Sequence, residues 1–334
     1  MLRIHFSSAD LGRLRLAAQP DVMWETVLSL HQLASPDPFF APWRRTACRA
    51  LADAGLGPDV RLLTAIAPIS SYFPDFLTPP GHTTALEPGI DVVLSTARCR
   101  LRAEIDRLLE ARPREDGRSC PSGRLDGIGA GRPPALHRLG AALRRYHAVA
   151  LAPYTPGPLV WARRDMARRA SVLLEQGSEA MLNGLCSGLR WRPPVLEVSY
   201  PVARNVRLAG RGLHLVPSFF CHNHPIGFAD PELPPVLIYP VARTALWIPR
   251  TPSAERGAGQ GLEELIGPTR AAALRLLDTG HSTTALAGRL CVSASTASRH
   301  AAALRRAGLV ATERLGASVL HTRTRLGTEL VHGA

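Results

Sequence analysis

The sequence predicts an α+β protein that is mainly helical and consists of two parts. Apolar residues recur at helical spacing through much of residues 24–189. Short β-prone runs, bounded by prolines and glycines, are concentrated at residues 195–239. After a stretch of small residues, prolines and glycines at 251–261, the chain reads as helix, helix, turn, helix and two β-prone runs. A length of 334 residues also makes two domains the natural expectation.

Composition limits the functions that are open to the chain. Forty basic residues stand against 27 acidic ones, which gives a formal charge of +13, and all forty are arginine. Basic charge favours binding to polyanions. The net charge of the C-terminal segment is in proportion to that of the whole chain, so charge alone does not mark a DNA-binding face. Because no lysine is present, Schiff-base chemistry and the lysine of a phosphate-binding loop are excluded.

The first residues lack a positive segment followed by a long apolar run, so we expect no signal peptide. No apolar run approaches the ~18 residues that cross a bilayer, and we expect a soluble cytoplasmic protein without membrane contact. The cysteines are scattered, which favours thiols over disulfides in a reducing compartment. They are Cys48, Cys99, Cys120, Cys186, Cys221 and Cys291.

In chain order, the N-terminal part begins with a strand at Leu2–Phe6. Arg61–Ala67 is predicted as a helix or a strand, and the proline- and aromatic-rich Ser70–Pro88 as irregular. Six further segments have apolar residues at helical spacing. They are Trp24–Leu33, Trp43–Ala54, Gly89–Glu110, Leu136–Leu151, Leu159–Gln176 and Ser178–Leu189.

Residues 112–134 are rich in glycine, proline, arginine and serine, and this composition predicts an exposed loop. The run Gly127–Gly131 has the alternating glycines of a dinucleotide-binding loop. Pro133 and Pro134 stand where the phosphate-binding helix of such a motif would begin, so we prefer a plain loop.

Three β-prone runs follow, Val195–Tyr200, Gly212–Val216 and Val236–Tyr239. We expect one small sheet, joined by the N-terminal strand. We assign residues 1–250 to a domain for dimerisation, for effector binding or for both, although no motif in these residues indicates a specific function. Residues 251–261 are the expected linker to a DNA-binding domain at 262–334.

The C-terminal part carries the clearest pattern. An amphipathic helix is predicted from Glu263 onward, and a short helix at Thr284–Leu290. The turn Cys291-Val292-Ser293 leads to a helix at Ala294–Arg306, and Ser293 is a good N-cap for it. Gly308 suits the end of that helix. Two β-prone runs close the pattern, Leu309–Thr312 and Ser318–Thr324.

The helix at Ala294–Arg306 has two different faces. Ala297, Ala301 and Leu304 recur at i, i+4 and i+7, which predicts a buried face. The opposite face is small, hydroxylated and cationic, a composition that suits close approach to a major groove. Its residues are Ser295, Thr296, Ser298, Arg299, Ala302 and Arg306.

The run VSASTASRHAAALRRAGLV, followed by a short wing and HTRTRLG, resembles the recognition unit of ArsR-type winged-helix transcriptional repressors. The resemblance covers residues 263–331, about a fifth of the chain. Residues 1–255 resemble, more weakly, the uncharacterised N-terminal extension of some actinobacterial ArsR-like regulators.

The resemblance implies a winged helix-turn-helix domain and a dimeric repressor that binds a double-stranded DNA operator. The helix 294–306 would enter the major groove, and two half-sites would lie one helical turn (~34 Å) apart. We expect no enzymatic activity and no cofactor, although an unidentified small-molecule effector fits this class of regulator. The expected DNA contacts are Ser293, Ser295, Thr296, Ser298, Arg299, His300, Arg306 and, at the wing tip, Arg314.

Two alternatives to this interpretation remain open. In the first, the chain is a small-molecule-binding protein or an enzyme, and its winged helix contacts protein. In the second, it is a metal-responsive repressor that uses Cys221, His222 and His224 as ligands, because cysteine and histidine suit zinc or copper. One segment supplies too few ligands alone, and the helix before the recognition helix lacks cysteine. We also expect Cys291 to be a small buried residue in the turn.

Overall fold

A computed structural model gives the structure of the chain. It describes residues 1–70, 72–81, 83–111, 122–200, 202–221, 224–242, 262–315 and 318–332. Within these ranges the protein is α+β and mainly helical, as predicted. The chain divides into two compact units, Met1–Pro249 and Arg250–Ala334. Among the described helices, none combines the length and the apolar character that a membrane crossing requires.

The first unit contains nine α-helices and three short 3-10 helices within the described residues, and the ends of the α-helices are set largely by prolines and by capping side chains. For example, Asp21 accepts hydrogen bonds from the backbone N–H groups of Met23 and Trp24 and so begins the second helix. The helices are α1 (Ser8–Leu11), α2 (Val22–Ala34), α3 (Ala41–Asp53), α4 (Gly57–Ile66), α5 (Leu86–Leu94), α6 (Arg98–Glu110), α7 (Ser122–Gly129), α8 (Pro133–Ala150) and α9 (Pro156–Asn183).

Two helix predictions in the first unit need correction. The single helix expected at Gly89–Glu110 is two, because Ala97 is extended and begins α6. The break expected between two helices at Gly177 is confirmed, because α9 is kinked there and Gly177 has non-helical backbone at φ 85° and ψ 176°. The second of them was expected to reach Leu189, but α9 ends at Asn183. Local periodicity does not show the break at Ala97, because the apolar spacing continues across it.

The loop predicted at 112–134 is also wrong where the structure describes it. Helix α7 covers Gly127 and Gly129, and it buries Leu125 and Ile128 completely or nearly so. Gly129 lies against the Ile105 side chain, so α7 packs on α6 at this point. Residues 112–121 lie outside the described residues.

The prediction of one small sheet is wrong, since the described part of the first unit has two. Strand β1 is antiparallel to β4 and parallel to β5, which gives the order β3-β4-β1-β5. The second sheet, of order β2-β6-β7, is parallel. The strands are β1 (Leu2–His5), β2 (Arg15–Leu16), β3 (Leu189–Arg192), β4 (Val195–Val198), β5 (Arg204–Arg207), β6 (His214–Ser218) and β7 (Val236–Pro240).

Two apolar cores stabilise the first unit. The larger one joins α2–α8 and contains an aromatic group in which Trp43 donates its indole N–H to the carbonyl of Ala150 at 2.9 Å. The smaller core contains side chains of both sheets and of the end of α9, and in it Phe6 meets Trp191 edge to face at 5.0 Å. Burial of this apolar surface supplies most of the stabilisation of such a unit.

The second unit holds five helical segments and a three-stranded sheet of order β8-β10-β9 in its described residues. The amphipathic helix expected from Glu263 is broken at Gly267, whose φ of 85° precedes Pro268. The last helix was not predicted. The elements are α10 (262–266), α11 (Pro268–Leu276), β8 (His281–Ser282), α12 (Thr283–Leu290), α13 (Ala294–Arg306), β9 (Val310–Leu315), β10 (Ser318–Arg323) and α14 (Arg325–His332).

Candidate nucleic-acid interface

Helix α13 is fixed in the second unit by one buried face. Ala297, Ala301 and Leu304 are 0–2% exposed and pack in a core shared with α11, α12 and β9. Alanine at two of these three positions leaves little side-chain bulk between the helices. The bounds of α13 and its buried face are confirmed, and the outer face is therefore directed to solvent.

The turn before α13 is tight. Ser282 caps α12 by accepting from the Ala285 N–H, and α12 ends at Cys291 in the left-handed conformation at φ 52° and ψ 42°. The expectation that Cys291 is buried is wrong, because its side chain is exposed. The neighbouring Val292 packs on the core in its place. A left-handed residue followed by a half-buried one lets the chain reverse between the two helices.

The first turn of α13 gathers three hydroxyl groups. Ser293 Oγ accepts from the backbone N–H of Thr296 at 3.2 Å, so the predicted N-cap is confirmed. The same oxygen lies 2.9 Å from Ser295 Oγ and 2.8 Å from Thr296 Oγ1. Arg299 donates from Nη2 to Thr296 Oγ1 at 3.3 Å, which holds the guanidinium over this first turn.

The outer face of α13 has the exposure that a groove contact needs. Ser293, Ser295, Ser298, Arg299 and Arg306 are exposed, whereas Thr296 and His300 are half-buried. Helix α13 contains no acidic residue. Within the described ranges, Arg299 and Arg306 have no acidic partner. This face therefore presents hydroxyl and guanidinium donors with little side-chain bulk between them.

Strands β9 and β10 form a hairpin behind the end of α13. Arg314 faces Val319 in the register and is exposed close to the hairpin tip, beside the exposed Glu313. The tip residues 316 and 317 lie outside the described residues. The structure thus places Arg314 on a different element from the α13 residues, on an arm that extends from the same unit.

The comparisons with known proteins add one partial likeness. No protein-family model matches the chain, and no curated protein matches it. The solved structure of reduced HlyU from Vibrio cholerae N16961 is similar at 32% sequence identity, over 24% of this chain and 82% of that one, with a TM-score of 0.19. A score this low carries no argument about fold or function.

His321 makes two hydrogen bonds that could not be predicted from the sequence. It is 6% exposed, and its ring nitrogens lie 3.0 Å from the hydroxyls of Thr283 and Thr312. Burial, and then the positive charge of Arg305, lower the pKa of His321 below its usual 6.5. The neutral imidazole ties the hairpin to the first turn of α12, and so fixes the hairpin relative to the two helices.

Arg289 is a further cation that the sequence did not single out. It is exposed in the last turn of α12, and its Nη1 lies 2.6 Å from His281 Nε2. His281 Nδ1 is 2.6 Å from the carbonyl oxygen of Thr279, so Nδ1 carries the proton and Nε2 accepts from Arg289. The imidazole thereby fixes this guanidinium on the helix that precedes the turn.

Other arginines of the second unit serve its fold. Arg323 donates to the carbonyl of Leu274 at the end of α11 and to the hydroxyl of Thr328. Arg325 forms an ion pair with Glu329 one turn later on α14, at 3.1 Å. The arginines of α13 therefore differ from Arg323 and Arg325 in their position on the exposed helix face and in having neither an acidic partner nor a hydrogen bond to another element within the described residues.

The metal candidates of the first unit are not assembled as a site in the described residues. Cys221 is completely buried, and its thiol donates to the carbonyl oxygen of His224 at 3.2 Å. His222 lies outside the described residues. No group of three histidine, cysteine or acidic side chains within the described part of the chain is placed to hold a metal ion.

Proposed function

We propose that the chain is a sequence-specific DNA-binding regulator and that its second unit is a winged helix-turn-helix domain. One observation carries this proposal. Helix α13 is held by a buried alanine and leucine face, and it exposes serine hydroxyls and arginines with no acidic side chain. In this proposal the chain acts by binding and not by catalysis.

The outer face of α13 suits the major groove for steric and chemical reasons. Ser295 and Ser298 are small enough to let the helix approach the base edges closely, and their hydroxyls bond phosphates or bases. Arg299 is the residue that we assign to bases, because a guanidinium reads guanine through two hydrogen bonds. Its contact with Thr296 limits the orientations in which it reaches the groove.

The surrounding cations would position the domain on the duplex. Arg314 on the hairpin would follow the adjacent backbone or minor groove, and Arg306 would meet phosphate at the other end of α13. Arg289, held by His281, would contribute a phosphate contact near the turn. Such contacts fix register but carry no base information.

Sequence specificity requires more than one DNA-binding domain, since one recognition helix reads only a few base pairs. We propose a two-fold dimer that binds half-sites about one helical turn (~34 Å) apart and acts as a repressor. The first unit would supply dimerisation, effector binding or both.

Selection from a random pool of duplex DNA tests this proposal. The full chain is incubated with the pool at fixed salt, and the bound DNA is recovered, amplified and sequenced over several rounds. We expect a motif with two symmetric halves, about 10 base pairs between centres. A pool that stays random after selection would contradict sequence-specific binding, and an enriched single half-site would contradict the dimer.

A further inference from the structure

The first unit contains a cleft that no predicted function uses. It lies among α4, α7 and α8, and its volume is about 730 Å³. This volume falls in the range of ~300–1,000 Å³ that is typical of small-molecule sites. Its lining residues are Pro58, Arg61, Leu62, Asp126, Gly127, Ile128, Arg132, Pro134, Ala135 and Arg138.

Three arginines converge on this cleft from two sides. Arg61 belongs to α4, whereas Arg132 directly precedes α8 and Arg138 lies on its second turn. All three are exposed, and within the described ranges none has a hydrogen-bond or ion-pair partner for its guanidinium. Asp126 is the acidic residue of the lining, so the cleft is cationic.

Two arginines further along the same helix show the contrast. Arg144 pairs with Glu87 and Arg145 pairs with Asp59, each at 2.8 Å. The arginines of α8 that face α4 and α5 are therefore paired with carboxylates of those helices, whereas Arg138 remains available to bind a ligand in the cleft. The backbone beside Arg132 is also fixed, because its N–H donates to the carbonyl of Gly127 at 2.9 Å.

We propose that this cleft binds a small molecule with two or more phosphate groups. Each guanidinium carries five N–H donors, whereas one carboxylate offers about four acceptor positions. Three guanidinium groups therefore match a chain of phosphates better than a single carboxylate. Leu62 and Ile128 back the cleft and belong to the buried core, and the prolines at its rim offer an apolar wall for the remainder of the ligand.

The proposed site lies in the first unit, and its occupancy does not depend on DNA binding by the second. Its test is calorimetric titration of the full chain with inorganic pyrophosphate at constant ionic strength. The test variant carries Arg61→Gln, Arg132→Gln and Arg138→Gln together. The control variant carries Arg45→Gln, Arg49→Gln and Arg163→Gln, which removes equal charge from exposed positions outside the cleft. Thermal unfolding checks that both variants fold.

We expect saturable binding of one pyrophosphate per chain in the wild type. The cleft variant should bind about ten-fold more weakly or worse, because charge-assisted bidentate contacts are lost, and the control should stay within about two-fold. No saturation up to about 1 mM would overturn the proposal. Equal weakening in both variants would reduce the effect to overall charge and overturn it as well. So would a cleft variant that still binds pyrophosphate but has lost affinity for duplex DNA, since the cleft would then be a nucleic-acid contact.

Discussion

At the scale of the residue, His321 shows how one side chain joins two elements. It hydrogen-bonds a threonine at the start of α12 and another on β9, and it is almost completely buried. Either proton arrangement of the neutral ring satisfies both hydroxyls, because a hydroxyl donates and accepts. The charged ring is disfavoured by burial and by Arg305.

The lowered pKa of His321 predicts a pH dependence of stability. The unfolded chain takes up a proton on this residue below pH ~6.5, whereas the folded chain takes it up only at lower pH. The contribution of neutral His321 to stability is therefore present above pH ~6.5 and is lost as the pH falls. We expect the free energy of unfolding of the full chain, measured in urea, to fall less for His321→Gln than for the wild type when the pH is lowered from 7.5 to 5.5. Parallel losses in the two proteins would show that His321 does not titrate as argued.

At the scale of the element, α13 was predicted correctly because its signals are local. Ser293 supplies the cap, the alanines and Leu304 supply the apolar period, and Gly308 adopts a φ of 74° just past the end. The break at Gly267 was missed because apolar residues continue at helical spacing on both sides of it. The helix over Gly127–Gly129 was missed for the opposite reason, because a glycine-rich run indicates a loop unless the packing of its neighbours is known. The outer face of α13 was predictable for the same local reason. The contacts of His321 and Arg289 were not, since they span 38 and 8 residues.

Substitution at Ser293 separates capping from DNA binding. Ser293→Asp keeps a good N-cap, so the thermal midpoint should stay near that of the wild type. The added carboxylate repels phosphate at the end of α13, so affinity for the selected duplex should fall by ten-fold or more in anisotropy titrations (~1.4 kcal/mol). Ser293→Ala is the matched control, and it should lower stability by about 1 kcal/mol. Wild-type DNA affinity in Ser293→Asp would remove the first turn of α13 from the interface.

The hairpin has a different expected signature. Arg314→Ala removes one proposed phosphate contact and no base contact, so it should lower the affinity for the selected duplex and for a scrambled duplex to a similar extent. The slope of log affinity against log salt should become shallower by about one. Titrations at several salt concentrations measure both quantities. A change of sequence preference would mean that Arg314 reads bases.

At the scale of the whole molecule, the fold class was predictable and the sheet topology was not. Strand β2 pairs with β6 about two hundred residues away, and β1 pairs with β4 and β5 across a similar distance. No local pattern encodes such partners, and two-residue β2 is too short to show alternation. The cationic cleft was missed for the same reason, because its arginines meet only when α4 and α8 pack.

The net charge of +13 makes non-specific DNA binding expected for any reading of this chain. Affinity for DNA is therefore weak support for a regulator, and only the difference between sequences is informative. The contribution of α13 must appear as a loss of preference and not merely as a loss of binding.

The most direct measurement is fluorescence anisotropy on two duplexes, the selected site and a scrambled duplex of equal length, with wild type, Arg299→Ala and Arg325→Ala. Arg325 is the matched control, an exposed arginine on α14 that pairs with Glu329. We expect the wild type to prefer the selected site by ~10³-fold or more. Arg299→Ala should lose ~1–3 kcal/mol on that site and little on the scrambled duplex, and Arg325→Ala should keep the preference. Equal affinity of the wild type for both duplexes, or an unchanged preference in Arg299→Ala, would contradict the assignment of α13 as the element that reads DNA.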